Sequence, residues 1–271
     1  MSAASGRCTI LHVSDVHATD GTLLYDAVDG IERLDQLADY ALAAGVTPEL
    51  VLVTGDLVER GHERAYPALE RALERLSARL GAPVRTVVGN HDGPGVRGMA
   101  EHASGTPAEG ALTADRIERI GALRVALLDS SSGRLHPQQL AWLGEQLERP
   151  HGLGTVVALH HPPVPSPLPS LARQSLVDGE ALMGVLARTD ARLVLAGHFH
   201  HAMWATMHGI PVSVGPSLVY QQVMDAGVDR VSGDDDAMFS LVHLTGSSVS
   251  VSAVRLASPS PIFTKPVVVP A

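Results

Sequence analysis

The chain has 271 residues, a net charge of -9 and one cysteine, with 45% hydrophobic and 3% aromatic residues. The acidic balance argues against a general binder of nucleic-acid polymers or anionic membranes, and the single Cys8 excludes an internal disulfide and a cysteine zinc cluster. No apolar run approaches the ~18 residues of a membrane span and no leader precedes the first strand, so we expect a cytoplasmic protein without a membrane span.

The first part of the chain alternates apolar runs of strand length with amphipathic helices. Strands are predicted at 8–13, 50–54 and 84–88, and helices at 31–44 and 63–80, each of which is stopped by a glycine. Strand, helix and strand in repetition predict βαβ units and a largely parallel sheet. The fold class is therefore α/β. The glycine-rich stretch up to residue 110 gives no clear prediction.

The second part of the chain continues this pattern and then changes its period. Strands are predicted at 123–128, at 155–159 and in the run that ends at Gly197, with helices at 138–147 and 180–187. From residue 202 the period is close to two, which predicts hairpin strands at 203–207, 210–214, 239–244 and 249–256, with a turn at 233–236. We expect one catalytic domain over 1–257 and a Pro-rich tail over 258–271.

Five of the predicted strands end in residues of the kind that bind metals. They are Asp15 and His17 after the first strand, Asp56 after the second, Asn90 and His91 after the third, His160 after 155–159, and His198 and His200 after Gly197. In open α/β sheets ligands gather outside the carboxyl ends of the strands, so these side chains are expected along one edge. In extended backbone, residues two apart share a side, which pairs His198 with His200 and turns His161 and His201 away.

The number of donors indicates how many ions the site holds. With His91 set aside, seven nitrogen or oxygen donors remain, whereas a catalytic zinc needs only three protein ligands. Seven donors fit two ions about 3.5–4 Å apart if one carboxylate bridges them. Asp56 is the candidate bridge because Gly55 before it allows close backbone approach.

The motifs, in this order, resemble those of the calcineurin-like metallophosphoesterases. They read Asp-x-His, Gly-Asp, Gly-Asn-His-Asp, His-His-Pro-Pro and Gly-His-x-His, and extend from about Ile10 to Val219. Residues 158–165, 195–200 and 209–214 are most similar to the bacterial class III cyclic nucleotide phosphodiesterases. The resemblance implies a four-layer αββα sandwich with mixed sheets, a dinuclear metal site at the carboxyl ends of the strands, and a homodimer.

The same resemblance implies a role for each motif residue. One ion would be bound by Asp15, His17 and His200, and the other by Asn90, His160 and His198, with Asp56 and a hydroxide between them. His91 matches the family's catalytic histidine and would lie with Asn90 at the substrate. The family implies iron with manganese, or two manganese ions, and mixed imidazole and carboxylate sites also accept zinc or cobalt.

Two positions leave the substrate side open. His161 follows a proposed ligand and is a further candidate for contact with the substrate or with a ligand. Residues 93–96 read Gly-Pro-Gly-Val where the family pattern leads us to expect a more polar, basic run. The substrate preference is therefore less well defined than the metal site.

These observations predict a metal-dependent phosphodiesterase that cleaves a small phosphodiester by attack of a hydroxide shared by the two ions. The expected substrates are 3′,5′-cAMP or 2′,3′-cyclic nucleotides. A metallophosphomonoesterase or a nuclease with the same ions is the alternative. A non-catalytic scaffold is a third hypothesis, which the presence of every ligand disfavours.

Overall fold

Two mixed β-sheets, a two-stranded β-ribbon, four α-helices and one 3₁₀ turn make up the regular structure of the described residues. The computed structural model describes residues 6–93, 115–258 and 260–266. The strands are β1 (Arg7–Val13), β2 (Leu50–Thr54), β3 (Val84–Val87), β4 (Arg116–Ile120), β5 (Leu123–Leu127), β6 (Thr155–Ala158), β7 (Ala191–Ala196), β8 (Met203–Met207), β9 (Ile210–Val214), β10 (Gln221–Gln222), β11 (Gly233–Asp234), β12 (Met238–Thr245) and β13 (Val249–Arg255). The helices are α1 (Gly30–Ala43), α2 (Tyr66–Leu80), α3 (Pro137–Gln146) and α4 (Gly179–Leu186).

Each sheet is parallel in its middle and antiparallel towards at least one edge. The first has the order β13-β12-β1-β2-β3, in which β1, β2 and β3 are parallel and the β12–β13 hairpin joins β1 antiparallel. The second has the order β4-β5-β6-β7-β9-β8, with β4 and β8 antiparallel at its two edges. The parallel strands therefore end on one side of each sheet.

The two sheets pack face to face, and a pair of helices covers each outer face. Successive residues of β2 belong to opposite cores: Leu52 packs between the sheets with Leu195, and Val53 packs outwards with Leu37 of α1. The outer face of the second sheet packs against α3 and α4 through residues such as Met183. A strand buried on both faces reads as a continuous apolar run, as β2 does. The predicted four-layer αββα sandwich is confirmed.

Most predicted elements occur within one or two residues of their expected bounds, and three differ. The helix predicted at 63–80 begins as a 3₁₀ turn at Glu63–Ala65. Strand β4 was not predicted, because its charged residues Arg116 and Glu118 interrupt the apolar pattern and are nevertheless buried. The predicted turn at 233–236 contains β11, which pairs with β10. The glycine-rich stretch from 94 lies outside the described residues.

Three remaining expectations concern Cys8, the tail and the membrane. Cys8 is buried, and burial, with the nearby Glu49 charge, raises the pKa of its thiol to about 12, so it is a structural thiol. Residues 258 and 260–266 belong to no helix or strand, and the rest of the predicted 258–271 tail lies outside the described part. Across the described ranges, no helix combines the length and hydropathy needed to cross a bilayer.

Removal of side-chain volume between the sheets tests the sandwich. Leu52→Ala should lower the free energy of unfolding by about 2–5 kcal/mol, because it leaves a cavity at a fully buried position. Leu42→Ala is the matched control, since Leu42 is 52% exposed on α1 and should change stability by about 0.5 kcal/mol or less. Guanidinium unfolding measures both, and equal costs would contradict the inter-sheet position of Leu52.

Candidate metal centre

The loops after β1 and β2 place three of the predicted ligands side by side. The Asp15 N–H donates to the Gly55 carbonyl at 3.2 Å, and the His17 N–H donates to the Asp56 carbonyl at 2.9 Å. Asp15 is fully buried, and His17 and Asp56 are each 2% exposed. Two carboxylates and one imidazole are therefore held next to each other, away from bulk water.

The second sheet contributes its ligands from the ends of β6 and β7. His160 follows β6, while His198 and His200 follow β7, and the Gly197 N–H donates to the His160 carbonyl at 3.0 Å. The His198 N–H donates to the two carboxylate oxygens of Asp15, at 3.3 and 3.2 Å. This contact joins the two sheets directly, so residues from both belong to one site.

The loop after β3 completes the site and is fixed to the loop after β2. The Asp92 carboxylate accepts the Val58 N–H at 3.0 Å, and the His91 N–H donates to Asp56 Oδ1 at 2.8 Å. Asp92 thus positions the backbone that carries Asp56 and Asn90. The Asp92 side chain therefore supports the loops that carry the proposed ligands.

One cluster of donor atoms comprises Asp15, His17 and His200. The Nε2 atoms of His17 and His200 are 3.2 Å apart, and His200 Nε2 is 3.4 Å from Asp15 Oδ1. The Asp56 Oδ2 atom is 3.7 Å from His17 Nε2. The ligand set expected for one ion therefore meets at a single point, with Asp56 beside it.

A second cluster comprises Asn90, His160 and His198. His160 Nε2 is 3.0 Å from Asn90 Oδ1 and 3.2 Å from His198 Nδ1. The same Asp56 Oδ2 that approaches the first cluster is 3.3 Å from His160 Nε2. Asp56 therefore lies between the two clusters, which is the position that a bridging carboxylate requires.

The outer nitrogens of two imidazoles are anchored to backbone carbonyls. The His160 Nδ1–H donates to the Thr54 carbonyl at 2.8 Å, and the His200 Nδ1–H donates to the Tyr220 carbonyl at 3.3 Å. An imidazole with its Nδ1 proton held in this way offers Nε2 to a cation, which takes the place of any proton on that nitrogen. In both residues Nε2 is directed to the centre of the site.

Glu59 is a residue of the site that the sequence reasoning missed. Its Oε2 accepts the His17 Nδ1–H at 2.6 Å, and its Oε1 lies 3.1 Å from His91 Nδ1. Glu59 stands three residues after Asp56, in a loop that continues past the motif. A carboxylate so close behind a proposed ligand was the available signal, because metal-bound histidines commonly donate their other N–H to one.

The backbone at five of the predicted ligands is left-handed. Positive φ values occur at Asp15 (56°), His17 (44°), Asp56 (46°), His198 (77°) and His200 (52°). For residues other than glycine this conformation costs about 1–2 kcal/mol each, and such strain concentrates at functional sites. The expectation that extended backbone pairs His198 with His200 is therefore wrong. These side chains converge because the loops turn.

His161 departs from the alternation rule for the same reason. Its ring lies 4.4 Å from the His198 ring and 5.0 Å from the His160 ring, and its Nδ1 is 3.4 Å from Ser130 Oγ. The chain bends at His160, so the next side chain stays at the site instead of turning away. His201 does turn away from the ligands, with its Nε2 2.9 Å from Ser166 Oγ.

Opposite charges stabilise each other inside this buried cluster. Burial raises the pKa of Asp56, but the nearby His160 and His17 outweigh it and hold the pKa well below its usual range. Burial lowers the pKa of His160, but Asp56 and Asp15 outweigh it and raise the pKa to about 9. Burial, followed by the charge of His160, lowers the pKa of His198 to about 2. The His198 imidazole is therefore neutral and keeps a lone pair for a cation.

His91 differs from the other histidines in its access to solvent. Its side chain is 28% exposed, whereas those of His17 and His160 are 3% and 0% exposed. A nitrogen of His91 lies within 4.8 Å of donor atoms of His17 and Asp56, so distance alone would let it bind an ion. Its exposure at the rim favours contact with a molecule that arrives from solvent.

The donor set fits metal ions. His17, Asp56 and His91 form one group of donors that could hold a cation. Three further groups are Asp15 with His17 and His200, Asp15 with Asp56 and His160, and His160 with His161 and His198. Two imidazole nitrogens that face each other at 3.2 Å can share one proton, but a cation satisfies both lone pairs together. Imidazole and carboxylate donors in this mixture suit divalent first-row metals.

Comparisons with known proteins agree with this geometry. The family model described as calcineurin-like phosphoesterase matches residues 8–202. The chain is 38% identical to a cAMP/cGMP dual specificity phosphodiesterase of Mycobacterium tuberculosis, over 91% of this chain and 79% of that protein. It is 36% identical to a probable cyclic nucleotide phosphodiesterase of Rhodococcus erythropolis, over 91% of this chain and 83% of that protein. A dimetal phosphatase from Danio rerio shares the fold, with a TM-score of 0.59, 16% identity and coverage of 90% and 98% of the two chains.

Neutralising the shared carboxylate tests its central position. Asp56→Asn should remove bound metal. The Asp56 carboxylate offers two charged oxygens between the clusters, whereas an amide offers one neutral oxygen. Asp39→Asn on α1 is the matched control, since its side chain is 72% exposed and away from the clusters. Elemental analysis of protein purified without chelator measures the effect. A variant that retains two ions per chain would rule out a bridging role.

Glu59→Gln tests the support of His17. The amide preserves the size of the side chain but removes the charge that holds the Nδ1 proton, so metal affinity should fall by about 10- to 100-fold. Competition with a chromogenic chelator gives the affinity. Glu180→Gln serves as the control, because Glu180 pairs with His208 on the surface. Equal affinities for the two variants would show that Glu59 does not act through His17.

Proposed function

The chain belongs to the calcineurin-like phosphoesterase family, and from this premise we propose that it is a metal-dependent phosphodiesterase acting on cyclic nucleotides. The observation that carries the proposal is the pair of donor clusters with Asp56 between them and His91 at their rim. Two relatives more than 35% identical to the chain are named for cyclic nucleotide hydrolysis, which supports this substrate class. Both 3′,5′-cAMP and 2′,3′-cyclic nucleotides are candidate substrates.

The proposal assigns the donors to two ions. Asp15, His17 and His200 would hold one, Asn90, His160 and His198 would hold the other, and Asp56 would serve both. Iron with manganese, or two manganese ions, is the proposed content. When bound, such ions activate water as the nucleophile and neutralise the oxygens of the phosphate, which allows a protein with a net charge of -9 to accept an anion.

Residues of the chain are proposed to position the catalytic loop, donate a proton and contact the phosphate. Asp56 accepts the His91 N–H through Oδ1 and still presents Oδ2 to both clusters, so one side chain links the ligands to the catalytic loop. The Glu59 carboxylate accepts the Nδ1–H of His91, so a His91 imidazolium would donate its Nε2 proton to the leaving alkoxide and become a neutral imidazole. Asn90 and His161 are proposed to contact the phosphate from the same side. No covalent bond between enzyme and substrate is required.

A substrate panel tests the proposal against its alternative. Protein loaded with manganese or iron should hydrolyse cyclic nucleotides with a higher kcat/KM than aryl monoesters or single-stranded DNA. A higher kcat/KM for monoesters would identify a metallophosphomonoesterase, and cleavage of DNA would identify a nuclease. Metal-replete protein that hydrolyses none of these substrates would overturn the proposal.

The proposal also includes a homodimer in the cytoplasm. Light scattering coupled to gel filtration should give twice the chain mass of 28.4 kDa. Fractionation of the source cells should recover the protein with cytoplasmic markers. A monomer, or recovery in another fraction, would contradict the corresponding part.

His91→Ala tests the proton donor separately from the ligands. The variant should retain both ions and lose about 100- to 10,000-fold in kcat, the range typical for general acid catalysis. His208→Ala is the control, because His208 lies on the surface with Glu180 and should leave kcat unchanged. Unchanged turnover of His91→Ala would remove it from the chemistry. Loss of metal would instead identify it as a ligand.

A further inference from the structure

An aromatic pair leads from the donor clusters to solvent. The Tyr220 ring lies 4.2 Å from the ring of His200, with an angle of 32° between their planes. The Tyr25 ring lies 5.7 Å further out, edge to face with Tyr220 at 69°. Tyr25 therefore stands beside the site, one ring removed from a proposed ligand.

The two tyrosines differ sharply in burial. Tyr220 packs against Leu24, Val28 and Val219, a small apolar cluster that fixes its ring. Tyr25 contacts the edge of the Tyr220 ring and is 74% exposed. The scaffold thus holds one ring in place, while the second presents most of its surface to any molecule bound at the site.

The backbone at Tyr25 is strained without a compensating gain in packing. Tyr25 and Asp26 are both left-handed, with φ values of 51° and 57°. The loop is held in this form by its own hydrogen bond, in which the Leu24 N–H donates to the Val28 carbonyl at 2.8 Å. Strained residues persist where function requires them, and an exposed aromatic ring gains little from folding. Only 3% of the residues in this chain are aromatic, so a ring at this place stands out against the composition.

We propose that Tyr25 is a substrate-binding residue that stacks on the nucleobase and selects nucleotide phosphodiesters over aliphatic ones. The inference rests on the proposed function and adds a subsite to it. The phosphate would occupy the donor clusters, and the ribose would span the distance to the tyrosines. The Tyr25 ring then offers a flat, uncharged face, which suits any base and discriminates little between them.

The Tyr25 side chain combines an aromatic ring with a phenol hydroxyl. The ring, which contacts Tyr220 edge to face, is the part proposed to bind the base, and stacking does not require the hydroxyl. Two substitutions at this residue separate these contributions.

The test compares a substrate that carries a base with one that lacks it. Tyr25→Leu should raise KM and lower kcat/KM for 3′,5′-cAMP by about 5- to 100-fold, the effect of losing one base-stacking contact. It should leave kcat/KM unchanged for ribose 3′,5′-cyclic phosphate, which has the same diester and no base. Tyr25→Phe retains the ring and should stay close to the parent enzyme on both substrates. Equal losses on both substrates for Tyr25→Leu would overturn the inference.

Binding of nucleotides gives a readout that does not depend on turnover. Calorimetry should show that the parent protein binds AMP more tightly than ribose 5-phosphate, and that Tyr25→Leu removes this difference. The control is Phe263→Leu, which removes a ring that is 75% exposed and contacts Lys265, and which should preserve the difference. A difference that survives in Tyr25→Leu would overturn the inference.

Failure of the inference and failure of the proposed function are distinguishable. If the parent enzyme hydrolyses cyclic nucleotides and Tyr25→Leu does so equally well, the subsite is absent and the proposed function stands. If the parent enzyme hydrolyses no phosphodiester, the proposed function fails, and calorimetry still decides whether Tyr25 recognises a base. Metal analysis and thermal unfolding of each variant should match the parent. Loss of metal or stability in Tyr25→Leu would assign the ring to the scaffold and overturn the inference.

Discussion

Imidazole nitrogens that face each other across 3.2 Å, in a largely buried site, are the constraint on which this structure depends. Lone pairs at that distance repel unless a proton or a cation lies between them. The surrounding protein holds them there by fixing the opposite side of each ring. His17 is held by Glu59, His160 by the Thr54 carbonyl and His200 by the Tyr220 carbonyl. The cluster is therefore preorganised by its outer contacts, and the energy that a metal ion supplies on binding need not be spent on folding the site.

The same contacts explain why the two sheets cannot be treated as separate units. His160 comes from the second sheet and donates to Thr54 of the first, while Asp15 of the first sheet accepts the His198 backbone N–H. Close approach of these loops requires glycine at particular positions. A Cβ at Gly197 would collide with Ser14, and one at Gly89 would collide with Asp56. These two glycines belong to the motifs because of the space they leave.

The site concentrates imidazoles, although the molecule as a whole is acidic. The protein is acidic, yet the site gathers imidazoles around Asp15 and Asp56, and the histidines hold the pKa values of both carboxyls below their usual range despite burial. The carboxylates are thus ionised and available to cations. An anionic substrate then meets a local positive charge supplied by bound ions, with His91 at the exposed rim. The aromatic pair of Tyr220 and Tyr25 extends the site away from this charge, towards the uncharged part of a nucleotide.

The sequence by itself determined the α/β class, the approximate bounds of most elements and the set of candidate ligands, because apolar runs such as β2 and the helical period of α1 are local properties. The four layers followed from the family resemblance. The expectation that the ligands lie along the edge of one largely parallel sheet is wrong, because they come from strand ends of two sheets. The tertiary structure decided what local pattern cannot encode. It placed β12 beside β1, buried the charged residues of β4, and turned the ligand loops into left-handed conformations that the expected strand alternation did not foresee. It also brought Glu59, His161 and Tyr25 to the site, because contacts between loops depend on the packing of both sheets and leave no periodic signal in the chain.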